Sequence, residues 1–113
     1  MIFINTCIET TMHRGDSAVI SAMLYEGNNL TKIMYTLDES DEIYFAILEP
    51  NQCWENAIVK KKFTNLSGTE LKIELKPQDT MCLLPGLYYY QVKLRKKDQV
   101  YTLNNRSRLY ILE

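Results

Sequence analysis

Alternation of apolar and polar residues dominates this chain, and its clearest instance runs from Leu71 to Leu94, LKIELKPQDTMCLLPGLYYYQVKL. Leu71, Ile73 and Leu75 alternate with Lys72, Glu74 and Lys76, the period-two pattern of a half-buried strand. After Pro85-Gly86 the pattern resumes, with Tyr88, Tyr90, Val92 and Leu94 facing in and Tyr89, Gln91, Lys93 and Arg95 facing out. Pro77 cannot continue the first ladder, and Asp79-Thr80 suit the cap of a single helical turn. Two strands joined by such a connector read as a crossing from one sheet of a β-sandwich to the other.

The same alternation predicts further strands on either side. Ile2 to Thr11 reads as a first strand with Ile2, Ile4 and Ile8 on one face, closed by a turn over Met12-His13-Arg14-Gly15-Asp16. Ser17 to Tyr25 sets Ala18, Ile20 and Ala22 opposite Val19, Ser21 and Met23, and Gly27-Asn28-Asn29 makes the next tight turn. Leu30 to Leu37 predicts an edge strand with Ile33, Tyr35 and Leu37 on one face. Asp38 to Glu42 is a polar loop, and Ile43, Phe45 and Ile47 mark a central strand that Glu49-Pro50-Asn51-Gln52 breaks. Trp54 to Phe63 carries no clean period, and Asn65 to Gly68 supplies a turn. Lys96-Lys97-Asp98 turns the chain into Val100 to Leu103, and Asn104-Asn105 turns it again into the closing strand Leu109 to Leu112. Turn signals at this spacing predict an all-β sandwich, and no long helical stretch competes.

Composition narrows the function classes. The 113 residues fit one domain, 1–113, long enough to bury roughly two-thirds of its unfolded surface. A formal charge of −1 gives no global attraction to nucleic acid or to an anionic membrane, so neither is an expected partner. The start, MIFINTCIETTMHRGDS, lacks a basic leader and a sustained apolar run, which predicts synthesis in the cytoplasm without a signal peptide. Cys7, Cys53 and Cys82 are odd in number and widely spaced, which predicts buried free thiols over a disulfide or zinc framework.

No residue set announces catalysis, a cofactor or a metal. His13 is the one histidine, sits in a predicted turn, and has no nucleophile motif around it. Asp38, Glu39, Asp41 and Glu42 offer oxygen ligands, but without the spacing and glycine of a calcium loop they read as a solvated connection. Arg14-Gly15-Asp16 matches an integrin-recognised tripeptide and has an ordinary explanation as a turn. Lys60-Lys61-Lys62 and Arg95-Lys96-Lys97 read as solvated edges that discourage aggregation. Trp54, in an Asn-Gln-Cys-Trp loop, and the outward Tyr89 are the candidate partner contacts, because aromatics at a surface favour protein association.

Several short motifs occur in a telling order: Arg14-Gly15-Asp16-Ser17 entering a strand, Leu37 to Ile47 with its Asp41-Glu42-Ile43-Tyr44-Phe45-Ala46-Ile47 run, Ile58-Val59-Lys60, Leu75-Lys76-Pro77-Gln78-Asp79-Thr80, Pro85-Gly86-Leu87-Tyr88-Tyr89-Tyr90 and Val100-Tyr101-Thr102-Leu103 ahead of Leu109-Tyr110-Ile111. In this order the chain resembles small immunoglobulin-like β-sandwich proteins of tailed phages and prophages. It is similar in particular to the N-terminal domain of phage baseplate upper proteins, from which it departs by lacking a long receptor-binding extension. The resemblance implies an antiparallel sandwich of about seven to nine strands. Its implied role is non-enzymatic: a baseplate, tail or capsid-decoration component that docks onto other phage structural proteins, joins the virion on assembly, or forms a homo-oligomer. In such sandwiches a tyrosine at the sheet-crossing corner bonds back to the corner backbone, which makes Pro85, Gly86 and Tyr88 the candidate structural corner, with simple core packing as the other role for Tyr88. A carbohydrate-binding module that uses Trp54 and Tyr89 as sugar platforms is the rival reading.

Overall fold

The computed structural model describes residues 2–4, 10–27, 33–64, 66–104 and 106–113. In chain order the strands are β1 (Ile2–Ile4), β2 (Thr10–His13), β3 (Ala18–Glu26), β4 (Ile33–Met34), β5 (Glu42–Leu48), β6 (Val59–Phe63), β7 (Glu70–Leu75), β8 (Gly86–Lys96), β9 (Gln99–Thr102) and β10 (Ser107–Leu112). A 3-10 turn at Trp54–Asn56 and one helical turn, α1 (Pro77–Thr80), complete the described elements.

The strands form two sheets in an all-β, sandwich-like arrangement. In the smaller, β3 pairs with β1, β4 and β7. The Leu24 amide donates to the Thr69 carbonyl while its own carbonyl accepts from Tyr35, so β4 and β7 follow one another along a single edge of β3. The larger sheet runs β2-β10-β8-β5-β6, with β9 also on β8. Its pairs are antiparallel except β2 with β10, which is parallel. Between the sheets lies one core to which Ile20, Leu24, Ile43, Phe45, Leu71, Ile73, Tyr90, Val92, Leu94 and Leu109 contribute, with the Phe45 and Tyr90 rings 5.8 Å apart. Burial alternates along β3, β7 and β8 as period two requires.

Several expectations are corrected. The first predicted strand is divided: β1 belongs to the smaller sheet and β2 to the larger, while residues 5–9, Cys7 and Ile8 among them, lie outside the described residues. Met12 and His13 extend β2 instead of turning, because β10 offers them a ladder, Ile111 to Met12 and Leu112 to His13. The strand expected over 30–37 is reduced to Ile33–Met34 among the described residues, and Ile33 is 72% exposed while Tyr35 and Leu37 are buried. The Gly27-Asn28-Asn29 turn and the Asn65 turn fall partly outside the described residues. Cys53 and Cys82 are exposed, not buried, since each lies in a connection and not on an inward strand position.

The expected Asn104-Asn105 turn falls partly outside the described residues, since Asn105 is not among them, and the strands on either side of it keep one direction. β9 and β10 run in succession along the same edge of β8, both antiparallel to it. From Thr102 to Ser107 the chain advances five residues while its partner advances three, from Lys93 to Tyr90. The buried Asn104 side chain fills the break: its Oδ1 accepts from the Val92 amide at 2.7 Å and its Nδ2 donates to the Tyr90 carbonyl at 3.2 Å. A side-chain amide stands in for the missing strand backbone, which keeps two buried ladder groups satisfied.

Candidate functional site

Tyr88 anchors the crossing between sheets. Its hydroxyl donates to the Leu84 carbonyl at 2.7 Å, four residues back and across Pro85-Gly86, where Gly86 takes φ +151°. Upstream, Asp79 acts from inside α1, its Oδ2 accepting from the Lys76 amide at 2.7 Å. Thr80 is buried and its Oγ1 accepts from the Gly15 amide at 2.9 Å, so the Arg14-Gly15-Asp16 turn is held against the connector. The expected cap pair thus divides its work, Asp79 on the helical turn and Thr80 on a neighbouring loop.

Lys61 closes the side of the molecule where β6 and β7 lie at the sheet edges. It occupies an inward position on β6, between the half-buried Val59 and Phe63. Its Nζ donates to the Glu74 carbonyl at 2.9 Å and pairs with Asp79 Oδ2 at 2.7 Å. An inward charge that occupies an edge carbonyl discourages strand addition from another chain. Of the basic run 60–62, therefore, only Lys60 and Lys62 fit the solvated description.

The outward face of the larger sheet gathers most of the remaining chemistry. Along β8 it presents Leu87, Tyr89, Gln91, Lys93 and Arg95; along β5, Glu42, Tyr44, Ala46 and Leu48; along β10, Arg108 and Tyr110; along β6, Lys60 and Lys62. Register sets Lys62, Tyr44 and Lys93 in one row, Lys60, Ala46 and Gln91 in the next, and Leu48, Tyr89 and Arg108 beyond them.

Trp54 and Tyr89 come to this same face. The 3-10 turn packs against β5, and the Trp54 ring lies beneath Lys93 Nζ, 4.4 Å from the ring centroid. Trp54 is consequently half-buried and not fully presented to solvent, a geometry in which a desolvated cation–π contact stabilises the ring's position. Ala46 and Leu48 are fully buried although they point away from the core. Tyr89 is half-buried between Leu48 and Arg108.

Sequence alternation places Ile43, Phe45 and Ile47 inward and does not tell what covers Ala46 and Leu48. The overlooked signal was their apolar character on the outward register of β5, followed closely by an aromatic turn able to fold back.

Electrostatics on this face centre on Glu42. Lys62 Nζ lies 2.8 Å from Glu42 Oε2, and the Tyr44 hydroxyl donates to the same oxygen at 2.8 Å. The Lys62 hydrogen bond first, then that of Tyr44, hold the Glu42 carboxyl below the usual carboxylate range. Glu42 raises Lys62 reciprocally.

The polar connection expected over 38–42 is solvated only in part: Glu42 opens β5, and residues 38–41 are internally bonded around a buried Asp41. Asp38 Oδ1 accepts from the Ser40 amide at 2.7 Å and from the Ser40 hydroxyl, which lowers the Asp38 pKa. Asp41 is fully buried and accepts through Oδ2 from the Tyr35 hydroxyl at 2.8 Å. His13 is exposed at the end of β2, with Nδ1 3.1 Å from the Glu113 carbonyl oxygen. Among the described residues, no three His, Cys, Asp or Glu side chains form a metal-binding group, and no helix is long and apolar enough to cross a membrane. No protein-family model matches the chain, and no curated protein matches it either.

Proposed function

We propose that this chain is an immunoglobulin-like sandwich serving a tailed phage or prophage as a non-enzymatic structural or assembly component through protein–protein contacts. The motif order described above supports the phage part. Support for the immunoglobulin-like part comes from the N-terminal segment split between the sheets, the parallel pairing of β2 with β10, and the Tyr88 hydroxyl bond over the sheet-crossing connector. Counting β1 with β2 as one strand that changes sheets, and β9 with β10 as one interrupted strand, gives eight strands.

The single observation that carries the contact role is the outward face of the larger sheet, where Trp54, Tyr89, Tyr44 and Tyr110 lie among arginine and lysine. Aromatic and arginine side chains are the residues that dominate association energies. The same geometry weakens the carbohydrate reading, because Lys93 occupies one face of the Trp54 ring that a sugar would stack on.

Mass spectrometry of particles induced from the source cells and purified tests the role. Stoichiometric presence of the chain is the expected result. Its absence from purified virions would sink the structural-component claim.

A further inference from the structure

The charge on the outward face of the larger sheet differs in kind from that of the whole chain. Five basic side chains, Lys60, Lys62, Lys93, Arg95 and Arg108, stand on its described strands against the carboxylates of Glu42, which Lys62 pairs, and of the exposed Glu55 on the adjoining 3-10 turn; Arg108 also has an interaction of its own. The chain as a whole carries −1. The opposite face lacks this bias: on β7 it presents Glu70, Lys72 and Glu74, with Lys72 and Glu70 paired at 3.7 Å.

Next to the basic rows, toward the start of β8, lies an apolar end of Leu87, Tyr89 and Tyr110, with Leu48 buried beneath and Arg108 beside Tyr89. Aromatic surface beside arginine and lysine is the composition that protein interfaces favour. Five strands spaced about 4.8 Å apart, over the nine residues from Leu87 to Arg95, span on the order of 600 Å², part of it covered by the Trp54 turn, against the roughly 800 Å² per partner of a standard interface.

We propose that this face docks a folded partner protein that presents an acidic patch beside an apolar one. The inference rests on the contact role proposed above and adds the chemistry of the partner. Charge also argues against the simplest homodimer. A two-fold contact would set the same patch against itself, bringing two clusters of lysine and arginine together, and like-charge juxtaposition opposes such pairing. An acidic partner neutralises them and draws on the long-range attraction that speeds docking.

Poly-L-glutamate of about thirty residues is the acidic protein probe, compared with a heparin fragment and oligo-dT of matched charge. Binding is read from the fluorescence of Trp54, the one tryptophan, and from amide shifts in nuclear magnetic resonance spectra. The expected result is salt-sensitive binding of poly-L-glutamate, with shifts on β5, β8 and β10. Affinity should fall about tenfold or more in Lys60→Glu/Lys93→Glu and detectably in Lys60→Glu alone, with Lys72→Glu unchanged. Because Lys60 is exposed, the single variant keeps the comparison valid should the double variant unfold. No binding, equal losses with Lys72→Glu, or a tenfold preference for oligo-dT or heparin would overturn the proposal. So would two-fold self-association through this face in the unmodified protein. Particle mass spectrometry separates the two claims, since it bears on the phage role and not on the charge of the partner.

Discussion

Replacing Tyr35 with phenylalanine isolates one buried polar contact. Tyr35 is 5% exposed, its ring lies beneath Lys96 Nζ at 5.0 Å from the centroid, and its hydroxyl donates to Asp41 Oδ2 at 2.8 Å. Asp41 is fully buried; the Asp38 amide reaches Oδ2 at 3.2 Å, and Oδ1 has no hydrogen-bond partner among the described residues. The variant keeps the ring and the lysine contact, and removes only the hydroxyl. A hydrogen bond to a charged group contributes about 1.5–3 kcal/mol, so a loss of about 2 kcal/mol is expected. With an unfolding entropy of about 2.1 cal/mol/K per residue, that loss lowers Tm by about 8 °C in a chain of this length.

A pH signature accompanies the loss. Burial first, and then the hydrogen bond to Asp41, raise the Tyr35 pKa above its ordinary 10.0. The folded state therefore favours the neutral phenol, and this contribution is complete below pH 10 and declines as pH rises through the folded value. The stability gap between wild type and Tyr35→Phe should be constant from neutral pH to near pH 10 and narrow above it. Chemical denaturation across that range measures both quantities. A gap under about 0.5 kcal/mol, or one that does not narrow in alkali, would refute the reasoning.

Asn104→Ala should cost about 1–3 kcal/mol in chemical denaturation, because the buried Val92 amide loses the side-chain oxygen that accepts from it. Tyr88→Phe should cost about 1 kcal/mol by the same measurement, since the exposed Leu84 carbonyl can turn to water once the hydroxyl is gone. Lys93→Ala uncovers one face of the Trp54 ring, so acrylamide should quench its fluorescence more strongly than in wild type.

The strands that sequence made legible are those where one face is core and the other solvent. β3, β7 and β8 obey strict alternation, so the inward sets Ile20-Ala22-Leu24, Leu71-Ile73-Leu75 and Tyr88-Tyr90-Val92-Leu94 could be read directly. Alternation does not record which sheet a strand joins, and the division of the N-terminal segment into β1 and β2 was therefore hidden. Nor does it distinguish a turn from an interrupted strand, since Asn104 satisfies the ladder through its side chain.

Trp54 and Tyr89 were legible as surface aromatics. Their shared face, the lysine over Trp54 and the burial of Ala46 and Leu48 depend on a loop folding back across a sheet. Lys61 was misread for a similar reason: its inward direction follows from its place between Val59 and Phe63, while its partners Glu74 and Asp79 come from a distant segment.

The central claim is that this protein works by contact through the outward face of its larger sheet. Hydroxyl-radical footprinting of the chain in purified particles, compared with the isolated protein, tests it most directly. Trp54, Tyr89 and Tyr110 are expected to become protected while Val19 and Met81, exposed elsewhere, label as before. Unchanged labelling of the three aromatics, or protection centred on Val19, would contradict it.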